Sequence, residues 1–380
     1  MERKLQSMEK KFDLIKSRAG VLRLTEVNPS TDSNVDPLGD DEADEDASCL
    51  PEKKVAFAKT HKTGSSTLQN ILFRYGVRED LNFAANHKSW MFSFKEPINA
   101  SVILDGPWKS LTFDMFLFHS IWRYHEMEKV LPEASYITLL RDPVDCFESN
   151  YVYMGLEKAF KMDINEFAEK KASTGMVRRT TAIIGKNQLL WDLGLNGQDM
   201  ESRELVQKRI NETDEEFDLV MIVEKFDESL ILLQDLLCWD LEDLTYLKQN
   251  ERIAEKKSKI TEATRKILTK WLWADYMLYD HHKAVFEKKI KDYGMNKMDK
   301  KIKTLALLNE KLKASCVKEK ADNDKLTGEF RMALNIVYGY VIDDSKPWCA
   351  LFARSEPNFY KQIRDVQDLK VETLKLKGVI

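Results

Sequence analysis

Val55-Ala56-Phe57-Ala58-Lys59-Thr60-His61-Lys62-Thr63-Gly64-Ser65-Ser66-Thr67 runs from an apolar tetrapeptide into a cluster of cationic and hydroxyl residues around one glycine. It continues as Leu68-Gln69-Asn70-Ile71-Leu72-Phe73-Arg74-Tyr75. There Leu68, Ile71, Leu72 and Tyr75 fall at the spacing of one buried helix face. The pattern reads as strand, tight loop, helix.

Such a loop offers anion binding, because the first turn of a helix leaves backbone N–H groups unpartnered and its dipole favours negative charge. Gly64 lets the backbone approach a phosphate closely, Ser65, Ser66 and Thr67 add hydroxyls, and Lys62 adds a mobile positive charge. The nucleotide-triphosphate loop is a different pattern, with an earlier glycine and a lysine directly after the second one. Here the lysine precedes the glycine. The plainer reading is a helix capped by a hydroxyl residue, with Lys62 simply solvated.

The chain has 380 residues and a formal charge of −4, so no chain-wide basic field points to nucleic acid, and any anion site is local. Its length accommodates one large α/β domain with additions, or two domains. Five cysteines (Cys49, Cys146, Cys238, Cys316, Cys349) are scattered without a C-x-x-C pair, which argues against a zinc site or a dense disulfide framework. Asn99-Ala100-Ser101 and Asn211-Glu212-Thr213 match the N-glycosylation triplet, a pattern that often arises by chance. The sequence holds neither a long apolar span nor an initial apolar core of a signal peptide, so as written it reads as soluble.

Residues 1–24 place Leu5, Met8, Phe12 and Ile15 at helical spacing. Residues 25–52 lose apolar content and gather Asp32, Asp36, Asp40, Asp41, Glu42, Asp44, Glu45 and Asp46 without a lysine or arginine until the folded region is reached, which reads as a disordered acidic linker. We therefore expect a helical and acidic N-terminal segment over 1–52 and a folded domain over 53–380. Further apolar runs occupy 111–118, 135–140 and 217–223, ending at His119, Arg141 and Glu224. Continuous apolar runs separated by helical segments predict a central parallel sheet flanked by helices, an α/β fold whose ligands bind beyond the carboxyl ends of the strands. Lys62, His119, Arg141 and Glu224 all follow strand ends, so one crevice can collect them. The second half reads as helical over 227–237, 261–290 and 297–320, the last with a leucine face and a lysine-rich solvated side.

The second informative cluster is Leu139-Leu140-Arg141-Asp142-Pro143-Val144-Asp145-Cys146-Phe147-Glu148-Ser149-Asn150-Tyr151. Pro143 suits a first helical turn with Asp142 as its cap. Arg141 and Ser149 can lie on one side and hold a second phosphate, the guanidinium binding its oxygens bidentately. The structural alternative pairs Arg141 with Asp145.

Residues Lys59 to Thr67, together with Leu140-Arg141-Asp142-Pro143 and Ser149, resemble the 5′-phosphosulfate and 3′-phosphate loops of Golgi carbohydrate sulfotransferases, most closely the galactose-3-O-sulfotransferase family. The stretches 185–194, 226–230, 237–239 and 271–280 resemble that family too, and the likeness runs from about residue 53 to about residue 360. The resemblance implies a P-loop-like sulfotransferase fold with a helical C-terminal extension. It also implies the donor 3′-phosphoadenosine 5′-phosphosulfate (PAPS) and transfer, without a metal, to the 3-hydroxyl of a terminal galactose on a glycolipid such as galactosylceramide or on another glycan.

Carried onto this chain, the resemblance has Lys62 neutralise the leaving phosphate, Thr63, Gly64, Ser65, Ser66 and Thr67 cradle the 5′-phosphosulfate, and Arg141 and Ser149 bind the 3′-phosphate. His119 is the base expected for the acceptor hydroxyl; His125 and Glu224 are rivals, and His61 touches donor or acceptor or only packs. Trp90, Trp108 and Trp122 offer a platform for a sugar face or serve the core. Two departures stand out. The run His119-Ser120-Ile121-Trp122-Arg123-Tyr124 replaces the family's methionine-arginine-phenylalanine-asparagine run after the histidine, and no signal anchor is visible before Lys53. A Golgi location is implied by the family, with contact to membrane only through a lipid acceptor or a missing anchor. The rivals are a kinase or NTPase, whose G-K-[ST] is lacking, and a non-catalytic glycan- or PAP-binding protein, against which Lys62, Arg141 and His119 weigh.

Overall fold

The computed structural model describes residues 49–174, 185–326, 328–331 and 335–380, so the helical and acidic reading of the N-terminal segment lies, up to residue 48, outside the described residues. Strand β1 (Val55–Ala58) leads into helix α1 (Ser65–Arg78), and strand β2 (Met115–Phe116) follows. Strand β3 (Ser135–Leu140) leads into α2 (Pro143–Tyr153), and α3 (Arg203–Glu216) precedes β4 (Leu219–Ile222) and α4 (Phe226–Leu237). Beyond them lie α5 (Glu262–Trp271), α6 (Trp273–Tyr293), α7 (Met295–Cys316), the hairpin strands β5 (Val317–Asp322) and β6 (Tyr338–Ile342), and α8 (Glu356–Leu376).

The main sheet has the order β2-β1-β3-β4. All its pairings are parallel, with Val55 opposite Met115 and Ser135, and Ile137 opposite Leu219. Every residue of β1 and β4 is buried, as the continuous apolar runs require of strands covered on both faces. The apolar run over 111–118 contributes a strand of only two residues, and the chain at Asn82–Ala84 lies against it: Asp114 accepts from the Asn82 N–H, and Ala84 donates to Met115.

The helical reading of 261–290 breaks at Leu272. Trp271 packs on Phe147 and Phe167, while Trp273 lies against Arg203, and one straight helix would not serve both. The helix expected over 297–320 ends at Cys316, and Val317–Asp322 pairs antiparallel with Tyr338–Ile342. The consecutive charged residues Lys318, Glu319 and Lys320 hide this strand from a hydrophobic-pattern reading.

The cysteines form two widely spaced bridges, short of a dense framework. Cys49 is bonded to Cys238 and Cys316 to Cys349, leaving Cys146 free and buried. The first bridge fastens the start of the domain to the end of α4, where Glu52 donates to Leu237 and accepts from the Trp239 indole. No helix among the described residues is long and apolar enough to cross a membrane. The C-terminal helix α8 is part of the body: Phe359 stacks on Phe73 of α1, Gln367 bonds the backbone of Phe83, and Asp368 accepts from the Trp108 indole.

Candidate functional site

Beyond the carboxyl ends of β1, β3 and β4 lies a cleft of about 790 Å³ lined by Lys62, Gly64, Ser65, Ser66, Thr67, His119, Arg141, Ser149 and Glu224, among others. The topology thus brings the strand-end residues together, as expected for an open parallel sheet. His125 is exposed on a short helix and does not line the cleft.

The loop after β1 is held by its own hydroxyls. Thr60 bonds the Leu139 carbonyl and Thr63, and Ser65 donates to the Thr60 carbonyl. Thr63 is fully buried and absent from the cleft wall, so its side chain shapes the loop and faces no ligand there. Thr67 accepts from the Gln249 N–H and Ser66 from the Asn250 amide. The hydroxyls expected to bind an anion are thus largely occupied in building its cradle.

What remains open is the helix terminus. Gly64 is the N-cap of α1 in the left-handed region (φ 76°), and no side chain caps the helix. A hydroxyl-capped helix is therefore not what the sequence builds. A Cβ at Gly64 would meet Val223 at 3.0 Å in a conformation that L residues disfavour. The first-turn N–H groups of a helix with no side-chain cap, beside a wall that carries lysine and arginine, have the chemistry to take an anion.

Lys62 is half-buried by surface area, but its ammonium is enclosed, 3.6 Å from the centroid of the Tyr153 ring. Burial, opposed by Cys146 and reinforced by Arg252, Arg141 and Lys59, pushes its pKa down to about 7. It is not the solvated lysine of the plainer reading. Arg141 donates to the Lys62 carbonyl at 3.0 Å, while Asp145 pairs with Arg265, so the structural Arg141–Asp145 alternative is not what forms. Asp142 caps α2 as expected by accepting from the Asp145 N–H.

His119 sits on the cleft wall with Nδ1 buried and unpartnered. Burial, then the charges of Lys59, His61 and Lys62, hold its pKa well below 6.5, against a backbone hydrogen bond at Lys59. Its surroundings thus favour the neutral ring. His61 stacks on it with centroids 4.5 Å apart. Asp192 fixes His61, accepting from its N–H at 2.7 Å and contacting Nδ1 at 2.9 Å. Glu224 accepts from the Asp142 N–H and the Tyr279 hydroxyl, and so orients the loop after β3.

Of the tryptophans, Trp90 lines the cleft beside Met91 and Phe94, whereas Trp108 and Trp122 are core residues whose indoles donate to Asp368 and Glu216. Sequence reasoning missed four polar residues here. Buried Lys59 pairs with Glu356 at 2.6 Å across the whole chain length, Asp192 anchors the loop, and Arg252 reaches the cleft beside Ser149 while bonded to Glu148. Lys59 directly follows β1 inside the quoted loop motif, but its burial leaves no local mark, and Glu356, Asp192 and Arg252 lie in no strand-end motif.

The family model described as Galactose-3-O-sulfotransferase matches residues 13–328. The chain is 35% identical over 276 residues to the galactosylceramide sulfotransferase of Bos taurus, covering 71% of this chain and 65% of that protein. It is 34% identical over 271 residues to galactose-3-O-sulfotransferase 3 of Mus musculus, covering 69% and 63%. A third relative, galactose-3-O-sulfotransferase 2 of Sus scrofa, is 29% identical over 287 residues, 72% of this chain and 71% of the relative. The chain spans a little under two thirds of the length of the first two. The family match covers the loop after β1 and the ends of β1, β3 and β4, and the chain belongs to the galactose-3-O-sulfotransferase family.

Proposed function

We propose that this protein transfers a sulfuryl group from PAPS to the 3-hydroxyl of a terminal galactose, on galactosylceramide or a related glycolipid, using a P-loop-like sulfotransferase fold. The observation that carries the reading is the terminus of α1, which has no side-chain cap and opens on a cleft wall shared by Lys62 and His119. Backbone N–H groups from Gly64 onward and the Ser66 hydroxyl hold the 5′-phosphosulfate, and Arg141, Ser149 and Arg252 hold the 3′-phosphate. His119 takes the proton from the galactose hydroxyl as its oxygen bonds to sulfur. The bond from sulfur to the bridging oxygen breaks, and Lys62 neutralises the charge that collects on the departing 5′-phosphate. Catalysis of this kind rests on position and on charge stabilisation.

Trp90, Met91 and Phe94 line the same cleft, and Phe94 stands edge-on to both His61 and His119, which supports an acceptor sugar packed beside the base. The identity to galactosylceramide sulfotransferases supports the lipid-linked acceptor. The disulfides support an oxidising compartment such as the Golgi lumen. The test is transfer from labelled PAPS to galactosylceramide, lactosylceramide, an N-acetyllactosamine glycan and a non-galactose sugar. The reading predicts galactose acceptors only, with galactosylceramide preferred and the product substituted at O3. Preference for the glycan would move the acceptor to glycoproteins, and PAP binding without any transfer would leave a binding protein.

A further inference from the structure

Outside the cleft, α3 and α6 lie together and present Asp214, His281 and His282 to one another, with their ligand atoms all within 4.8 Å. None of the three lines the cleft. His281 Nε2 is 2.7 Å from one Asp214 oxygen, and His282 Nδ1 is 3.7 Å from the other, beyond hydrogen-bond range. His282 is only 2% exposed, while the other two reach solvent.

The hydrogen bonds around His282 set its tautomer. The Thr213 hydroxyl donates to the Ile210 carbonyl at 2.6 Å, so its oxygen is the acceptor for His282 Nε2–H at 2.8 Å. That leaves the lone pair of Nδ1 aimed at the Asp214 carboxylate. A nitrogen lone pair and a carboxylate that converge without a hydrogen between them repel, unless a cation lies between them.

We propose that Asp214, His281 and His282 bind a zinc-type divalent cation. Two imidazole nitrogens and one carboxylate oxygen are the donor set of such ions, and Mg²⁺ or Ca²⁺ would demand more oxygen. Zinc–ligand bonds of about 2.0–2.2 Å need donors roughly 3.3 Å apart in a tetrahedron, which small side-chain rotations from the present spacing provide. Water completes the coordination on the exposed side. Thr213 supplies the outer contact that ligating histidines commonly make through their second nitrogen. The ion would tie α3 to α6, the helices on either side of β4 in sequence.

The test is titration of the tag-free full chain with Zn²⁺, followed by calorimetry and by thermal unfolding with and without a chelator. One equivalent is expected to bind and raise the melting temperature, while Mg²⁺ does neither. His281→Ala and Asp214→Asn, whose side chains are partly exposed, should weaken binding at least about tenfold while melting like the native protein in metal-free buffer. Thr213→Val should weaken binding by roughly 10- to 100-fold, as outer contacts do. Absence of a saturable Zn²⁺ site overturns the proposal, as does a site that survives both His281→Ala and Asp214→Asn, which would place the ion on the cleft histidines or Cys146 instead.

Discussion

Lys62 shows how much a single position depends on its surroundings. In water its ammonium would be charged throughout the physiological range, but burial beside other cations brings its pKa to about 7. An anionic donor favours the charged form, so binding takes up a proton once the pH exceeds that value. The sign follows: PAP affinity is full below about pH 7 and falls as pH rises above it, by up to about tenfold per unit. Isothermal titration from pH 6.5 to 9, as a proposed experimental range, should show this fall in the native protein and a flatter profile in Lys62→Arg, whose guanidinium stays charged. Affinity that is constant with pH would contradict the buried-lysine account. Asp192 is the second residue to change. Asp192→Ala strips an acceptor from a buried loop N–H and from the His61 ring, so it should cost about 1–3 kcal/mol in urea unfolding and raise the PAPS KM with less effect on kcat.

At the scale of elements, the union of α8 with the donor loop is the least expected feature. Lys59, at the end of β1, is buried against Glu356 in the first turn of α8, and Gln69 of α1 bonds both. Glu356→Ala leaves a buried cation unpaired and should destabilise the fold by about 3–5 kcal/mol. Adding Lys59→Met should recover part of that loss in denaturant unfolding. If the double variant is no more stable than Glu356→Ala, the pair is not coupled in this way. Gly64→Ala tests the other end of the loop. The left-handed φ and the Val223 contact predict a penalty of roughly 1–2 kcal/mol, read as weaker PAP binding.

These elements also show what was legible in the sequence. Buried parallel strands write themselves as continuous apolar runs, so β1, β3 and β4 could be read directly, and the residues that end them mark the crevice. The charged hairpin strand β5 carries no such run. The partners of Lys59, His61 and Glu148 are Glu356, Asp192 and Arg252, each more than a hundred residues away, and pairing at that range leaves no local periodicity. The tryptophans were ambiguous for a different reason: an indole serves a core or a sugar face equally well, and only position separates Trp90 from Trp108 and Trp122.

For the whole molecule, the disulfides set the conditions under which it is stable. The Cys49–Cys238 bridge closes a sequence separation of 189, and the chain-entropy relation assigns such a loop roughly 5 kcal/mol, at the top of the usual range. Thermal unfolding with a reductant should therefore show a markedly lower melting temperature, and an unchanged one would mean that the bridges do not form in solution. The same body holds the open end of α1, Lys62, Arg141 and His119 around one cleft. The most direct measurement is the rate of sulfuryl transfer from labelled PAPS to galactosylceramide by the native protein, Lys62→Ala and His119→Ala, each shown to be folded. Transfer by the native protein, reduced by about 10²–10³ in kcat without the lysine and by about 10²–10⁴ without the histidine, is the predicted result. Full activity in either variant, or no transfer by a native protein that is folded and saturated with PAPS, would contradict it.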